Sequence, residues 1–182
     1  KDNTASQGLT AGAVVLRHEL NRGAGAATKT GLDFAKESGA RYAVTIDSDG
    51  QHDPKDIRRL LKAAERYDVV VGSRLIKPKG MPLIRRAYNT IGSLITYLLY
   101  GVYVKDSQSG FKIFNRKALE RIEIKFDRYE FCSEVIHEFR LKRLSFKEVP
   151  IRVIYTEYSL SKGQHLLSGV RMVFKMIMRL FT

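Results

Sequence analysis

Two short β-branched runs, YAVTI at residues 42–46 and DVVVG at 68–72, flank a span whose Ile57, Leu60, Leu61 and Ala64 recur at helical spacing. Strand, helix and strand in that order pack compactly when the helix crosses over the sheet, which leaves the two strands parallel. Upstream, GAVVL at 12–16 reads as another strand, and residues 28–38 read as a helix with Leu32, Phe34 and Ala35 available for its inner face. The alternation predicts an α/β domain with a mostly parallel sheet flanked by helices. Ligands of such sheets collect outside the carboxyl ends of the strands, where Asp47, Asp49 and the pair Ser73-Arg74 fall.

Beyond residue 75 the order loosens. A polar loop, KPKGMP, leads to an apolar helix over 83–100, then to a loop DSQSG before FKIF. Residues 130–141 read as a helix and 147–155 as a strand, with Pro150 favouring a sheet edge. Residues 165–181 form the clearest amphipathic helix: Arg171, Lys175 and Arg179 share one face, and Val170, Val173, Phe174, Ile177, Met178 and Phe181 cover the rest. A length of 182 residues with 44% hydrophobic content suits one domain spanning 1–182. Residues 87–104 carry no charge and reach the length at which a membrane span must be weighed. Two Gly, Asn89, Ser93 and two Thr within that stretch argue against a span.

Lys and Arg total 32 against 19 Asp and Glu, a formal charge of +13, which suits a polyanionic partner such as nucleic acid, an anionic membrane surface or a phosphorylated substrate. The single cysteine, Cys132, cannot form an internal disulfide, so the chain fits a cytosolic setting. The opening KDNTASQG lacks the apolar core of a signal peptide.

Against this basic background, IDSDGQHDP gathers three carboxylates and an amide directly after an apolar strand. Carboxylate and amide oxygens suit Mg²⁺ or Mn²⁺, which commonly take one or two protein carboxylates and complete their shell with phosphates and water. Asp49 and Gln51 are the candidate ligands; His52 could be a further one but reads rather as a solvated loop histidine. The same residues also fit a polar turn in which Asp53-Pro54 caps the next helix. Upstream, Asn21, Gly23 and Gly25 of NRGAG supply small residues before a helix N-terminus, as a phosphate site requires; a flexible turn explains them equally. Neither a Walker loop nor a G-x-G-x-x-G fingerprint is present. Arg74 offers a guanidinium at the same edge for pairing with a diphosphate.

Taken in order, NRGAGAATKTG, IDSDGQHDP, VVVGSR and DSQSGFK resemble the GT-A fold, family 2 glycosyltransferases, in particular the branch that makes polyprenyl-phosphate (dolichol-phosphate) mannose and glucose. The resemblance implies a Rossmann-like sheet flanked by helices, with Asp47, Arg74, Asn21, Gly23 and Gly25 toward a nucleotide-sugar donor. It also implies Asp49 and Gln51 on Mg²⁺ or Mn²⁺, Asp106 beside the reacting centre, and Ser109, Glu134 and Lys162 toward the acceptor. Members of this family begin with a strand ending in P-x-Y-N-E and a second ending in D-D-G-S-T-D-N-T. Only Asp2-Asn3-Thr4-Ala5 matches, so the chain is expected to lack the N-terminal strands and their base-recognition acids. The branch also has an arginine shortly before a G-x-S-K element, of which only Ser161-Lys162 match.

The expected reaction is inverting transfer of a hexose from GDP-mannose, UDP-glucose or UDP-N-acetylglucosamine to a polyprenyl phosphate, an anion that needs no strong base near neutral pH. Residues 83–104, entered through Arg85-Arg86, and 165–181 are the candidate interface helices, implying peripheral attachment at the cytoplasmic, inner membrane face. Packing on the domain's own sheet, or on a second copy in a homo-oligomer, would cover them equally. A soluble family 2 enzyme acting on a glycan differs only in acceptor. A nucleic-acid-binding module is the reading from another class; basic residues scattered away from the aromatics argue against that partner.

Overall fold

The computed structural model describes residues 3–155, so the helix expected at 165–181 and Lys162 lie outside the described residues. A four-stranded sheet forms the centre, with β1 (Tyr42–Thr45), β2 (Val69–Ser73), β3 (Lys112–Asn115) and β4 (Phe146–Pro150) in the order β1-β3-β2-β4. β2 and β4 pair in parallel, whereas β3 runs antiparallel to both β1 and β2. β1, β2 and β4 therefore share a direction, as the strand-helix alternation predicts, and β3 is the reversed strand between them. Its reversal brings the loop before Lys112 to the edge where the other three strands end. That juxtaposition builds the candidate site.

Around the sheet lie α1 (Thr4–Thr10), α2 (Ala24–Glu37), α3 (Ile57–Ala64), α4 (Leu83–Tyr100), α5 (Arg116–Arg121) and α6 (Phe131–Leu141). Alternation along β2 separates two apolar layers. Val69 and Val71 join Phe114 and the α6 residues Val135, Ile136 and Phe139, while Val70 joins Ile113, Phe111 and Leu60 of α3. Burying one such valine contributes about 1.5–3 kcal/mol, so the VVV run anchors both layers at once.

Several expectations change. Residues 12–16 form no strand: Val14 and Leu16 are exposed, and β-branched residues gain little without a neighbouring strand to pack on. β1 is half-buried rather than buried, because it is an edge of this sheet. The helix expected from residue 54 begins as a 3-10 turn, Pro54–Asp56, with the Asp53 carboxylate accepting from Lys55 N at 3.0 Å. The capping alternative for Asp53 is thus realised. β4 ends at Pro150 on the sheet edge, and beyond it Val153 makes only an isolated bridge with His52.

α4 closes at Gly101, whose left-handed φ of 69° would strain any side chain, and a Cβ there would lie 2.5 Å from Arg140 Nη1. Among the described residues no helix is long and apolar enough to cross a membrane.

Candidate functional site

Asp106 and Arg74, predicted from separate segments, meet at the carboxyl edge of β2. Arg74 donates to Asp106 through its backbone N and Nε at 2.8 Å each, both to Oδ2, and through Nη2 at 2.7 Å to Oδ1. Asp106 has no exposed surface and the Arg74 side chain is 15% exposed. Burial alone would raise the Asp106 carboxyl, but the adjacent guanidinium and its hydrogen bonds hold it below the usual carboxylate range. Burial alone would lower the guanidinium, but the Asp106 charge and its hydrogen bond together hold it above its own ordinary value. The pair stays ionised near neutral pH.

Asp47 leaves the end of β1 with its side chain 61% exposed, facing His52 Nδ1 at 3.9 Å. Gly110 makes room for it: a Cβ there would stand 2.4 Å from Asp47 Oδ2. The His52 ring is buried against Phe111, with centroids 5.2 Å apart, and its Nδ1 has no hydrogen-bond partner. Burial lowers its pKa against the pull of Asp47. Asp49 Oδ1 accepts from Gln51 N at 3.0 Å, the polar-turn alternative, which leaves its second oxygen outside that bond. Among the described residues no group of three or more His, Cys, Asp and Glu could hold a metal ion. An exposed carboxylate and a second turn carboxylate beside an amide nevertheless suit a hard cation whose remaining ligands come from substrate phosphates. The donor set fits Mg²⁺ or Mn²⁺ on those terms.

The DSQSG loop is stitched to the sheet by its own side chains. Ser109 Oγ donates to Gly72 O at 2.6 Å and accepts from Phe111 N at 3.3 Å, and the residue is fully buried. Ser109, expected toward an acceptor, uses its hydroxyl to fix the loop. Glu134, also expected toward the acceptor, has a carboxylate that accepts from Lys125 N at 3.0 Å and Phe126 N at 2.9 Å, bracing the approach to α6.

Gly23 and Gly25, expected toward the donor, meet a packing requirement of their own. A Cβ at Gly23 would lie 2.5 Å from Asp127 O, and one at Gly25 would lie 2.0 Å from Phe126 O, so these glycines let α2 approach residues 126–128. Asn21 does line a hollow with Arg22, Phe126, Asp127, Arg128 and Glu130. Because α2 and α6 precede the parallel strands β1 and β4, their N-termini, and this hollow with them, lie toward the same sheet edge as Asp47.

Three features escape the sequence reading. Lys112 is buried on β3, with Nζ donating to Ser109 O, and burial lowers its pKa. Its signal was a lysine between Phe111 and Ile113, two positions before the core residue Phe114. A hydroxyl cluster joins α4, the loop and α6: Ser93 and Thr96 each lie 3.2 Å from Ser107 Oγ, and Thr96 lies 2.9 Å from Ser133 Oγ. Its signal was Ser93 and Thr96 recurring three residues apart in the more apolar half of the helix. Glu148 of β4 accepts from Lys105 N at 2.9 Å and Asp106 N at 3.1 Å, and nothing local in the sequence announces it.

Comparison with known proteins adds an independent line. Residues 1–123 match the family described as Glycosyl transferase family 2. The chain is 42% identical over 185 residues to an uncharacterized protein of Methanocaldococcus jannaschii, covering 98% of this chain and 76% of that one. It is 42% identical over 172 residues to the UDP-N-acetylglucosamine--dolichyl-phosphate N-acetylglucosaminyltransferase of Methanococcus voltae, covering 91% of this chain and 68% of that protein. Against the undecaprenyl-phosphate mannosyltransferase of Micrococcus luteus the identity is 30% over 159 residues, covering 85% and 65%.

Proposed function

The chain belongs to glycosyl transferase family 2 and is a glycosyltransferase, and from that premise we propose that it transfers a hexose from a nucleotide sugar to a polyprenyl or dolichyl phosphate. The observation that carries the reading is the Arg74–Asp106 pair, held at the sheet edge where Asp47 emerges from β1. Relatives named for transfer to dolichyl and undecaprenyl phosphate support the acceptor class.

In this reading Asp47 and Asn21 face the donor, and Arg74, with Nε and Nη2 committed to Asp106, turns its remaining Nη1 to a phosphate oxygen. Asp49 and Gln51 hold Mg²⁺ or Mn²⁺. When bound, that ion supplies positive charge against the donor's diphosphate. An oxygen of the acceptor phosphate forms the new bond to the anomeric carbon as the bond to the nucleoside diphosphate breaks on the opposite face, giving inversion. The acceptor's second pKa is about 6, so its attacking oxygen is already ionised and Asp106 need not remove a proton. Asp106 instead keeps Arg74 extended and charged, and the low exposure of both strengthens each contact. The enzyme works at the cytoplasmic membrane face, with the exposed apolar side of α4 against lipid.

A donor screen tests this directly. GDP-mannose, UDP-glucose and UDP-N-acetylglucosamine are each offered with a polyprenyl phosphate and Mn²⁺ or Mg²⁺, and lipid-linked sugar is scored with and without chelator. One donor is expected to give product that chelation removes, and Asp49→Ala is expected to lower turnover by about 100-fold or more while the fold persists. Transfer to a soluble glycan alone overturns the acceptor; turnover of Asp49→Ala equal to the parent overturns the metal ligand.

A further inference from the structure

Glu148 stands where the sheet calls for an apolar side chain. Two positions earlier on the same face of β4, Phe146 packs into the α6-facing layer, its ring stacked on Phe139 with centroids 5.2 Å apart. Val149, on the other face, packs into the α3-facing layer. A carboxylate in the core-facing register is costly unless hydrogen-bonded. Its partners are the successive amides of Lys105 and Asp106, one on each oxygen, at 2.9 and 3.1 Å. Asp106 is thereby gripped twice, through its backbone by Glu148 and through its carboxylate by Arg74.

We propose that Glu148 is a positioning residue of the glycosyl transfer, one that aims the Asp106 carboxylate at Arg74 by fixing the backbone from which Asp106 projects. This deepens the function proposed above and rests on it. Arg74 extends from the end of β2, and β4 is the parallel neighbour of β2, with Val71 opposite Glu148. Glu148 therefore ties the loop carrying Asp106 to the strand beside the one that ends at Arg74. A neutral amide at residue 148 keeps one acceptor oxygen but presents a donor to the other backbone N–H. The loop then loses half of its hold without losing side-chain volume.

The test is a double-mutant cycle of Glu148→Gln and Asp106→Asn in the full-length enzyme, measuring kcat and both KM values, with thermal melts to show that every variant is folded at the assay temperature. Glu148→Gln is expected to lower kcat by about ten-fold, to change the nucleotide-sugar KM by less than about two-fold, and to add less than about two-fold to the defect of Asp106→Asn. Lys147→Gln, on the exposed position beside it, is the control and is expected to match the parent. Should the amide variant melt too low, Glu148→Asp, one methylene short of the amides, enters the same cycle with the same expectation. A kcat within about two-fold of the parent, or a full additive loss in the Asp106→Asn background, overturns the positioning role. A fully active Asp106→Asn overturns the assignment of Asp106, and the role of Glu148 with it.

Discussion

Both oxygens of Asp106 are taken by Arg74, and neither group has a comparable partner elsewhere in the loop. Removing one member of a buried, hydrogen-bonded ion pair strands the other, at about 3–5 kcal/mol. Arg74→Ala is accordingly expected to lose about 3 kcal/mol in urea denaturation, and Asp106→Asn in the same chain to restore part of it. Arg74→Lys retains the charge but not the planar fork, so it should fall between the two. Each partner was legible alone, Arg74 by its place after a strand and Asp106 by its place in DSQSGFK. Their pairing spans 32 residues, and no local pattern encodes a contact of that separation. The glycines and Ser109 show the converse: the residue type was informative, but small size and a hydroxyl serve backbone packing as well as they serve a ligand.

α4 has two unlike faces. Inward it presents Ser93 and Thr96 to Ser107 and Ser133; outward it presents Ile84, Ile91, Leu94 and Leu98 to solvent. The outward stripe is expected to rest on lipid, so Leu94→Gln with Leu98→Gln, at positions 50% and 72% exposed, should weaken co-sedimentation with anionic vesicles by about ten-fold while leaving the melting temperature near that of the parent. The bounds of α4 were readable, since residues 83–100 carry a long apolar pattern ended by a glycine. β3 was not, because four residues starting with a lysine offer too little alternation to reveal a strand, least of all a reversed one. The run at 12–16 errs the other way. β-branched composition records a readiness to pair, and pairing itself depends on a neighbour.

Across the whole molecule, Asp68 binds the elements at the opposite end of the sheet. Its carboxylate accepts from Lys117 Nζ at 2.7 Å, Ser145 N at 2.8 Å and Asn115 Nδ2 at 3.1 Å, joining β2 to α5, the end of β3 and the approach to β4. Burial would raise its pKa, but these donors bring it down to about 2. A depressed carboxyl stabilises the fold above its unfolded value of about 3.9, and that stability disappears as pH falls toward the folded value. Between pH 5 and pH 2 the unfolding free energy should drop by about 2 kcal/mol through Asp68 alone, and Asp68→Asn should flatten that part of the profile. The formal charge of +13 adds self-repulsion as further carboxylates are neutralised in acid.

The reversed β3 also governs where this enzyme can tolerate added length. Side chains alternate along a strand, so one extra residue between Asp106 and Lys112 would turn the lysine toward the α3 layer and swing Ile113 out of it. The polar stretch between β2 and α4 carries no such constraint of parity. Natural variation in size belongs there, while the seven residues from Asp106 to Lys112 behave as a ruler whose length cannot drift.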